Sequence, residues 1–337
     1  MAIRFRMEVL MRTFHTVHER VLDVPAGRPG ALMDRLAAAD DPLWPAPAWP
    51  ALRFDRPLGA RAEGGHGPIR YAVDAYEPGR RLRFRFTALW SGFHELVVEP
   101  MGPDRCRVRH RLEVRPKGRM RWAWIFVFRP LHNALFDELF DNMQRAATGS
   151  LPRPVRWSPW VRLLHRLLWE RPRRVPMPAG ARLAQEAFGR VDFADAFQVR
   201  LHPAMPQDPD AWRAVFSSPP RSIRALFALR QALVGLVGIR PDTRGDVFPV
   251  LARREGEILL GADSGHLDFR ISLLSADRRL TLTTVTRLNN RRGRLYFAVV
   301  RRVHPFVIRT MLRRTHRELA LGATPGARAA AAPGPAG

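Results

Sequence analysis

Two stretches of this 337-residue chain carry the same signature, and this repeat constrains the fold more than any other feature of the sequence. The first, GRMRWAWIFVFRP, runs from Gly118 to Pro130, and the second, GRLYFAVVRRVHP, runs from Gly293 to Pro305. Each begins with Gly-Arg, continues through an apolar run that includes aromatic residues, and reaches a proline twelve positions after the glycine. A chain that repeats such a signature is constrained to build two similar halves.

The elements before each copy of the signature also repeat. Alternation and turn residues predict the same order of elements in both halves. The predicted first-half elements are a strand over 14–24, a helix over 29–39, strands over 68–77, 81–88, 93–100 and 105–114, and a helical segment over 119–147. The second-half elements are a strand over 195–201, a helix over 222–238, strands over 247–255, 256–262, 266–274 and 279–288, and a helical segment over 294–320. Coincidence would have to reproduce order, spacing and signature together, so we interpret the chain as a duplicated domain.

The length of the chain also favours two domains, because about 150 residues is a common domain size. We predict a first domain over residues 14–147 and a second over 193–320. Residues 148–192 between them contain many prolines and one amphipathic helix, and we predict that they form a linker. Residues 321–337 are rich in Ala, Pro and Gly, and this composition predicts a disordered tail.

The linker contains a basic amphipathic segment, residues 157–171. In a helix Leu163, Leu164, Leu167 and Leu168 form one stripe, and three tryptophans flank it. Leucine and tryptophan beside arginine are typical of a helix at a membrane surface, so peripheral membrane contact is one interpretation. The other is docking onto the protein, which we favour because the linker is short and bounded by prolines. Docking predicts that Leu164, Leu167 and Leu168 are buried.

Composition bears on partners and location. The formal net charge is +25, and all but one of the 56 basic residues are arginine. Such a charge suits an anionic partner, although arginine-rich coding with solvated basic faces is the plainer explanation. The lone cysteine, Cys106, excludes an intramolecular disulfide and, with no signal-peptide pattern at the start, predicts a cytoplasmic location. No apolar run approaches the roughly 20 residues that a membrane span requires.

The order of strand, helix, antiparallel strands and long C-terminal helix is that of the helix-grip fold. In residues 14–147, HGPIRYAVDAYEPGRRLRFRF, GFHELVVEPMGPDRCRVRHRLEV and PLHNALFDELFDNMQRA resemble the START-like superfamily, also called SRPBCC or the polyketide cyclase/dehydrase and lipid-transport family. In residues 193–320, LFALRQALVGLVGI, DSGHLDFRISL and GRLYFAVVRRVHPFVIRTML resemble an uncharacterised bacterial family of unknown function, related to the same fold. These resemblances imply an α+β protein of two tandem helix-grip domains, each an antiparallel curved sheet wrapped on a long C-terminal helix. Neither family supplies a fixed catalytic residue.

A helix-grip sheet leaves an apolar cavity beside its long helix, and such a cavity suits a hydrophobic ligand. Alternation places His94 on the inner face with Leu96, and a turn centred on Gly102-Pro103 puts Leu96 opposite His110. His94 and His110 are therefore expected to lie close together, either as polar core residues or as groups that orient a ligand or move a proton. The predicted ligand-binding residues are His94, His110, Trp90 and Trp122 in the first domain and Phe269, Thr284 and Thr286 in the second.

The sequence predicts no metal site, because no third ligand beside the two histidines is evident, and no cofactor, because the usual nucleotide and hydrolase motifs are absent. The leading prediction is the binding of a hydrophobic small molecule or lipid. One alternative is a cyclase- or dehydratase-type enzyme that uses the pocket histidines. The other is a membrane-surface or, less favoured, nucleic-acid adaptor. Its basic face would consist of Arg81, Arg83, Arg85, Arg105, Arg107, Arg109 and Arg111. Whether a reaction is catalysed stays open, as does the oligomeric state.

Overall fold

The computed structural model describes residues 13–217 and 249–332. The chain divides into two compact units. The first unit is Met1–Leu168 with Thr324–Gly337, and the second is Trp169–Ala323. The boundary at Leu168 falls inside the segment predicted as a linker. The helix predicted over residues 222–238 lies outside the described residues.

The first unit contains a seven-stranded antiparallel sheet with the order β1-β7-β6-β5-β4-β3-β2. Its elements are β1 (Phe14–Leu22), α1 (Gly27–Met33), β2 (Arg53–Phe54), β3 (Glu63–His66), β4 (Ile69–Glu77), β5 (Arg81–Phe86), β6 (Ser91–Gly102) and β7 (Arg105–Arg115). Strands β6 and β7 pair with Leu96 opposite His110, as the turn at Gly102 predicted. Every second residue of β7 from Cys106 to Val114 is buried, because alternate side chains of a strand point to the same face.

One long helix follows the sheet. It consists of α2 (Met120–Ala123), a π-helical turn (Trp124–Phe128) and α3 (Arg129–Thr148). Pro130 explains the irregular turn, because it has no N–H to donate to the carbonyl of Phe126 four residues earlier. Trp160 supplies the missing donor, and its Nε1 lies 2.7 Å from that carbonyl oxygen. The proline of the repeated signature therefore leaves an acceptor that a later segment of the chain uses.

The outer face of the first sheet is basic, but carboxylates lie among its arginines. Arg81 binds Glu95 at 2.7 Å and Arg109 binds Glu19 at 2.6 Å. Longer pairs join Arg83 and Arg85 to Asp74, Arg105 to Asp23, and Arg107 to Glu99. Such surface pairs add little stability, about 0–1 kcal/mol each. They do offset much of the positive charge of this face, and the nucleic-acid alternative stays a prediction.

The predicted linker packs on the first unit through its first half. Helix α4 (Pro159–Leu168) buries Leu164, as docking predicted. His165 Nε2 donates to the carbonyl of Ala48 at 2.7 Å. Leu167 and Leu168 are exposed, so their predicted burial is wrong. Among the described residues, the apolar stripe is buried at Leu164 and exposed at Leu163, Leu167 and Leu168.

Glu138 connects this segment to the core of the first unit. Its carboxyl is buried and accepts hydrogen bonds from the indole N–H of Trp49, at 3.0 Å, and from that of Trp157. Burial disfavours the charged form and raises the pKa of Glu138 to about 8, against the lowering effect of the two indoles. The carboxyl is therefore mostly protonated at neutral pH.

The second unit repeats the sheet of the first in a smaller form, with the strand order β10-β11-β12-β13-β9-β8. Its elements are β8 (Arg173–Val175), α5 (Arg182–Gln185), β9 (Phe193–Arg200), α6 (Pro209–Phe216), β10 (Val250–Arg254), β11 (Glu257–Asp263), β12 (Leu267–Ala276), β13 (Arg279–Leu288) and α7 (Arg291–Ala323). Strand β9 pairs with β13 as β1 pairs with β7. Both units are thus helix-grip domains in which the first strand of the repeat lies beside the last.

Two segments differ from the sequence-based boundaries. Arg173–Val175, predicted as linker, pairs with β9 and belongs to the second sheet, because its backbone satisfies the edge of that strand. The tail predicted to be disordered from residue 321 continues α7 to Ala323 and then forms a short helix, Ala327–Ala331. That helix is ordered because Ala327 and Ala330 are buried and the Ala330 carbonyl accepts from the Trp157 N–H at 2.8 Å.

Candidate functional site

Four histidines come together on the inner face of the first unit. Strand pairing fixes the positions of three of them. His18 of β1 lies directly opposite His110 of β7, and His94 of β6 lies two residues from Leu96, the residue opposite His110 on its other side. The fourth, His132, comes from the first turn of α3. We call His18, His94, His110 and His132 the histidine cluster.

The rings of the cluster are in close contact. His94 Nδ1 and His110 Nε2 are 2.9 Å apart and share a hydrogen bond. The His132 ring centroid lies 5.2 Å from that of His94 and 5.1 Å from that of His110. Phe136, one helical turn after His132, stacks on His110 with a centroid separation of 3.6 Å. The cluster is therefore packed between sheet and helix.

Burial controls the protonation of these rings. It lowers the pKa of His132 to about 3, and the pKa of His94 and His110 well below the usual value. Loss of solvation is the largest cause in each case, and repulsion between neighbouring imidazoles adds to it. All three rings are therefore neutral at physiological pH, and each has one nitrogen lone pair.

The structure brings the predicted pair His94 and His110 together, while their role as ligand-binding residues stays a prediction. It also bears on the cyclase alternative, which requires both rings to face a cavity that admits a substrate. His110 is fully buried beneath Phe136. The two rings thus lie in packed core among the described residues.

The two predicted tryptophans have different positions. Trp90 is buried and packs edge-on against Trp124 and Phe128 of the long helix. Trp122 is 63% exposed, and its role in ligand binding stays a prediction. Residues two apart point to nearly opposite sides of a helix, and Trp124 takes the inner position.

Sequence reasoning missed His18 and His132. His18 follows the alternation of β1 and lies between Thr16 and Arg20 on the same face. His132 precedes Phe136 by four residues and Leu139 by seven, which is the spacing of one helix face. Both signals were present in the sequence, but neither shows which face of the helix meets which strand.

In the second unit the three predicted residues lie on neighbouring strands. Phe269 is directly opposite Thr286, and Thr284 is opposite both Ile271 and Asp195. Thr284 is buried, and its hydroxyl has no hydrogen-bond partner among the described residues. The predicted face is thus buried and mainly apolar, and its role in ligand binding stays a prediction.

An open cavity of about 400 Å³ lies at the β8–β9 edge of the second unit. Val175, Pro176 and Met177 line it on one side, with residues 194–196 on the other. Asp195 in that wall is held by His304, whose Nε2 lies 3.2 Å from the carboxylate. This volume suits a small molecule, but it is at the edge of the sheet and not at the predicted inner face.

An exposed apolar surface, which we call the apolar patch, lies on the first unit. Trp122 and Phe126 of the long helix stack nearly parallel, with ring centroids 6.1 Å apart. Trp160 of α4 adjoins them through its hydrogen bond to the Phe126 carbonyl. The patch consists of Trp122, Phe126 (53% exposed), Trp160, Leu163, Leu167 (55%) and Leu168 (60%). An exposed surface with this many large apolar side chains is unusual in a soluble monomer.

Comparison with known proteins gives a partial match. A family described as a protein of unknown function, DUF2867, matches residues 187–311, in agreement with the expectation for the C-terminal half. No curated protein matches the chain. These comparisons assign no function.

Solved structures of low identity are also similar. Norcoclaurine synthase from Thalictrum flavum, in complex with dopamine and hydroxybenzaldehyde, is 13% identical with a TM-score of 0.34, over 43% of this chain and 92% of that one. CalU16 from Micromonospora echinospora is 13% identical with a TM-score of 0.32, over 47% and 88%. A conserved protein of unknown function, EF2215 from Enterococcus faecalis, is 12% identical with a TM-score of 0.33, over 50% and 95%. The fold assignment rests on the strand order and helices described above.

Proposed function

We propose that this protein binds a hydrophobic ligand, of lipid or similar class, at the surface of an anionic membrane. The observation that carries the proposal is the apolar patch. Trp160, Leu163 and Leu167 are spaced i, i+3 and i+7 along α4, so they form one exposed stripe. Tryptophan and leucine at the end of a basic domain are the side chains that enter the headgroup region of a bilayer.

Charge around the patch supports an anionic surface. No acidic residue occurs between Arg115 and Phe136, and residues 151–169 contain none. The exposed cations on the two segments that form the patch are Lys117, Arg119, Arg129, Arg153, Arg156 and Arg166. Each basic side chain near an anionic bilayer contributes about 1 kcal/mol of attraction. Apolar insertion and electrostatic attraction therefore favour the same orientation.

The second unit has a comparable surface, which we regard as independent support. Leu295, Val299, Val303 and Phe306 are exposed on α7, at spacings of four, four and three residues. The sequence has no acidic residue from Arg278 to Arg317. The repeated signature thus places an exposed apolar stretch among arginines in each copy. Among the described residues, no helix has the length and apolarity needed to cross a bilayer.

Vesicle co-sedimentation tests the membrane part of the proposal. We expect wild type to bind phosphatidylcholine vesicles that contain phosphatidylglycerol and to bind pure phosphatidylcholine much less. The double variant Leu163→Asp, Leu167→Asp loses two half-inserted leucines and gains negative charge. Its partition coefficient onto these vesicles should be lower than that of wild type by about 30-fold or more. Both side chains are exposed, so the fold should tolerate the change.

The matched control is Leu89→Asp, Met101→Asp, which adds the same charge at exposed apolar residues of the same unit. It should weaken binding by only a few fold, through net charge alone. Equal losses in both double variants would show that the patch is not the contact. Failure of wild type to bind anionic vesicles at low salt would reject the membrane part altogether.

The ligand part has a separate test. Native mass spectrometry of the purified protein, with solvent extraction, should reveal a bound hydrophobic molecule. Where purification removes it, a lipid panel should raise the unfolding temperature, because binding to the native state alone stabilises it. A protein that carries nothing and responds to no lipid would leave only the surface-binding proposal standing.

A further inference from the structure

The histidine cluster has the composition of a metal site, although the sequence predicted none. Three of its rings, His94, His110 and His132, offer nitrogen atoms that all lie within 4.8 Å of one another. They come from β6, β7 and α3, so three different elements converge on one point. Three imidazoles are a known ligand set for a borderline-soft divalent cation such as Zn²⁺.

Hydrogen bonding fixes which nitrogens carry free lone pairs. His132 Nδ1 lies 3.3 Å from the amide oxygen of Asn133, which only accepts, so Nδ1 carries the proton. His132 Nε2 then has a lone pair, and it is buried with no partner among the described residues. A buried nitrogen without a partner, beside the imidazoles of His94 and His110, is what a bound cation would explain.

His18 extends the arrangement. Its Nδ1 donates to the Asp137 carboxylate at 3.1 Å, and its Nε2 is buried and unpartnered in the described residues. The His18 ring centroid lies 5.8 Å from those of both His110 and His132.

We propose that His94, His110 and His132 bind a divalent transition-metal ion, with Zn²⁺ as the best probe, and that His18 accepts a hydrogen bond from a water in the fourth coordination position. Three protein nitrogens and one water form the open tetrahedral site that zinc adopts with three histidines. The ion replaces the hydrogen bond between His94 and His110.

A tetrahedral site requires small changes in the distances between the histidine nitrogens. Zinc–nitrogen distances of about 2.0–2.1 Å in a tetrahedron put ligating nitrogens about 3.4 Å apart. The contact between His94 and His110 is already shorter than this, at 2.9 Å. A separation of 4.8 Å, the largest in the group, requires the nitrogens to approach by about 1.4 Å, within the reach of side-chain rotation.

Metal titration of the chelator-treated full-length protein tests the proposal. We expect one equivalent of Zn²⁺ per chain by calorimetry, a higher unfolding temperature with zinc, and a tetrahedral absorption band when Co²⁺ is the probe. His132→Gln and His94→Gln should each weaken zinc binding about 100-fold, and His18→Gln about tenfold. His15→Gln, an exposed histidine on the same strand as His18, is the control and should bind as wild type does.

Circular dichroism of each variant checks that it folds, and His18→Gln, a change at a partly exposed side chain, covers the case in which a core variant does not. Absence of stoichiometric binding of Zn²⁺, Co²⁺, Ni²⁺ or Cu²⁺ by folded wild type would reject the site. Binding that survives both His94→Gln and His132→Gln would place the ion elsewhere and would also overturn the proposal. None of these results depends on membrane binding.

Discussion

The free energy of unfolding of Glu138→Gln, measured relative to wild type, is expected to increase by about 3 kcal/mol when the pH is raised from 5 to 8. The cause is the buried carboxyl, whose pKa is raised to about 8 in the folded state from 4.5 in the unfolded chain. Between these two values the folded state holds a proton that the unfolded state releases. Wild type therefore loses stability as pH rises through this window, and the glutamine variant does not.

The glutamine side chain also has a constant effect, because its amide nitrogen cannot accept from an indole. One of the donors, Trp49 or Trp157, then lacks a partner, which costs about 1–3 kcal/mol at every pH. Glutamine should thus be slightly destabilising at pH 5 and stabilising at pH 8. Urea unfolding at a series of pH values measures the difference, and other titrating groups cancel because both proteins contain them.

Glu99→Gln is the matched control, since that carboxylate lies on the outer face of the sheet, where water reaches it. We expect no comparable trend for it. A difference between Glu138→Gln and wild type that stays constant from pH 5 to pH 8 would show that Glu138 is not held in its protonated form. The packing of Trp49 and Trp157 around a neutral acid would then need another explanation.

The positions of His94 and His110 followed from the sequence because each step was local. The turn at Gly102 set the pairing of β6 and β7, and alternation then fixed which side chains share a face. The helical partner could not be derived in this way. Whether His132 or a neighbour meets the sheet depends on the rotation of α3 against the strands, which long-range packing decides. The contribution of His132 to the cluster was missed for this reason.

The amphipathic helix illustrates a different limit. Its stripe predicted burial, and the structure buries Leu164 while leaving Leu167 exposed. An apolar stripe has the same composition whether a protein core or a bilayer covers it. The sequence therefore indicates that this apolar surface is buried, without identifying whether protein or bilayer buries it. The exposed side of α4 now favours the bilayer.

The glycines that open the two copies of the signature are expected to respond very differently to alanine. At Gly293 a Cβ atom would lie 1.9 Å from the backbone oxygen of His266, a distance that real atoms never reach. The start of α7 cannot move aside freely, because Asn290 accepts from the Gly293 N–H at 2.9 Å and donates to the Gly265 carbonyl at 2.8 Å. We expect Gly293→Ala to lower the free energy of unfolding by about 3 kcal/mol or more.

At Gly118 nothing lies within 4 Å of the position of an added Cβ, and only the backbone conformation matters. Its φ of +54° is left-handed, which costs an alanine about 1–2 kcal/mol. Urea unfolding of both single variants compares the two, with the larger loss expected at Gly293. Equal losses of unfolding free energy would mean that the start of α7 accommodates the added Cβ atom as easily as the open turn at Gly118 does. Glycine would then have the same role in both copies of the signature. The structure instead implies a different role in each, close backbone contact at Gly293 and a left-handed turn at Gly118.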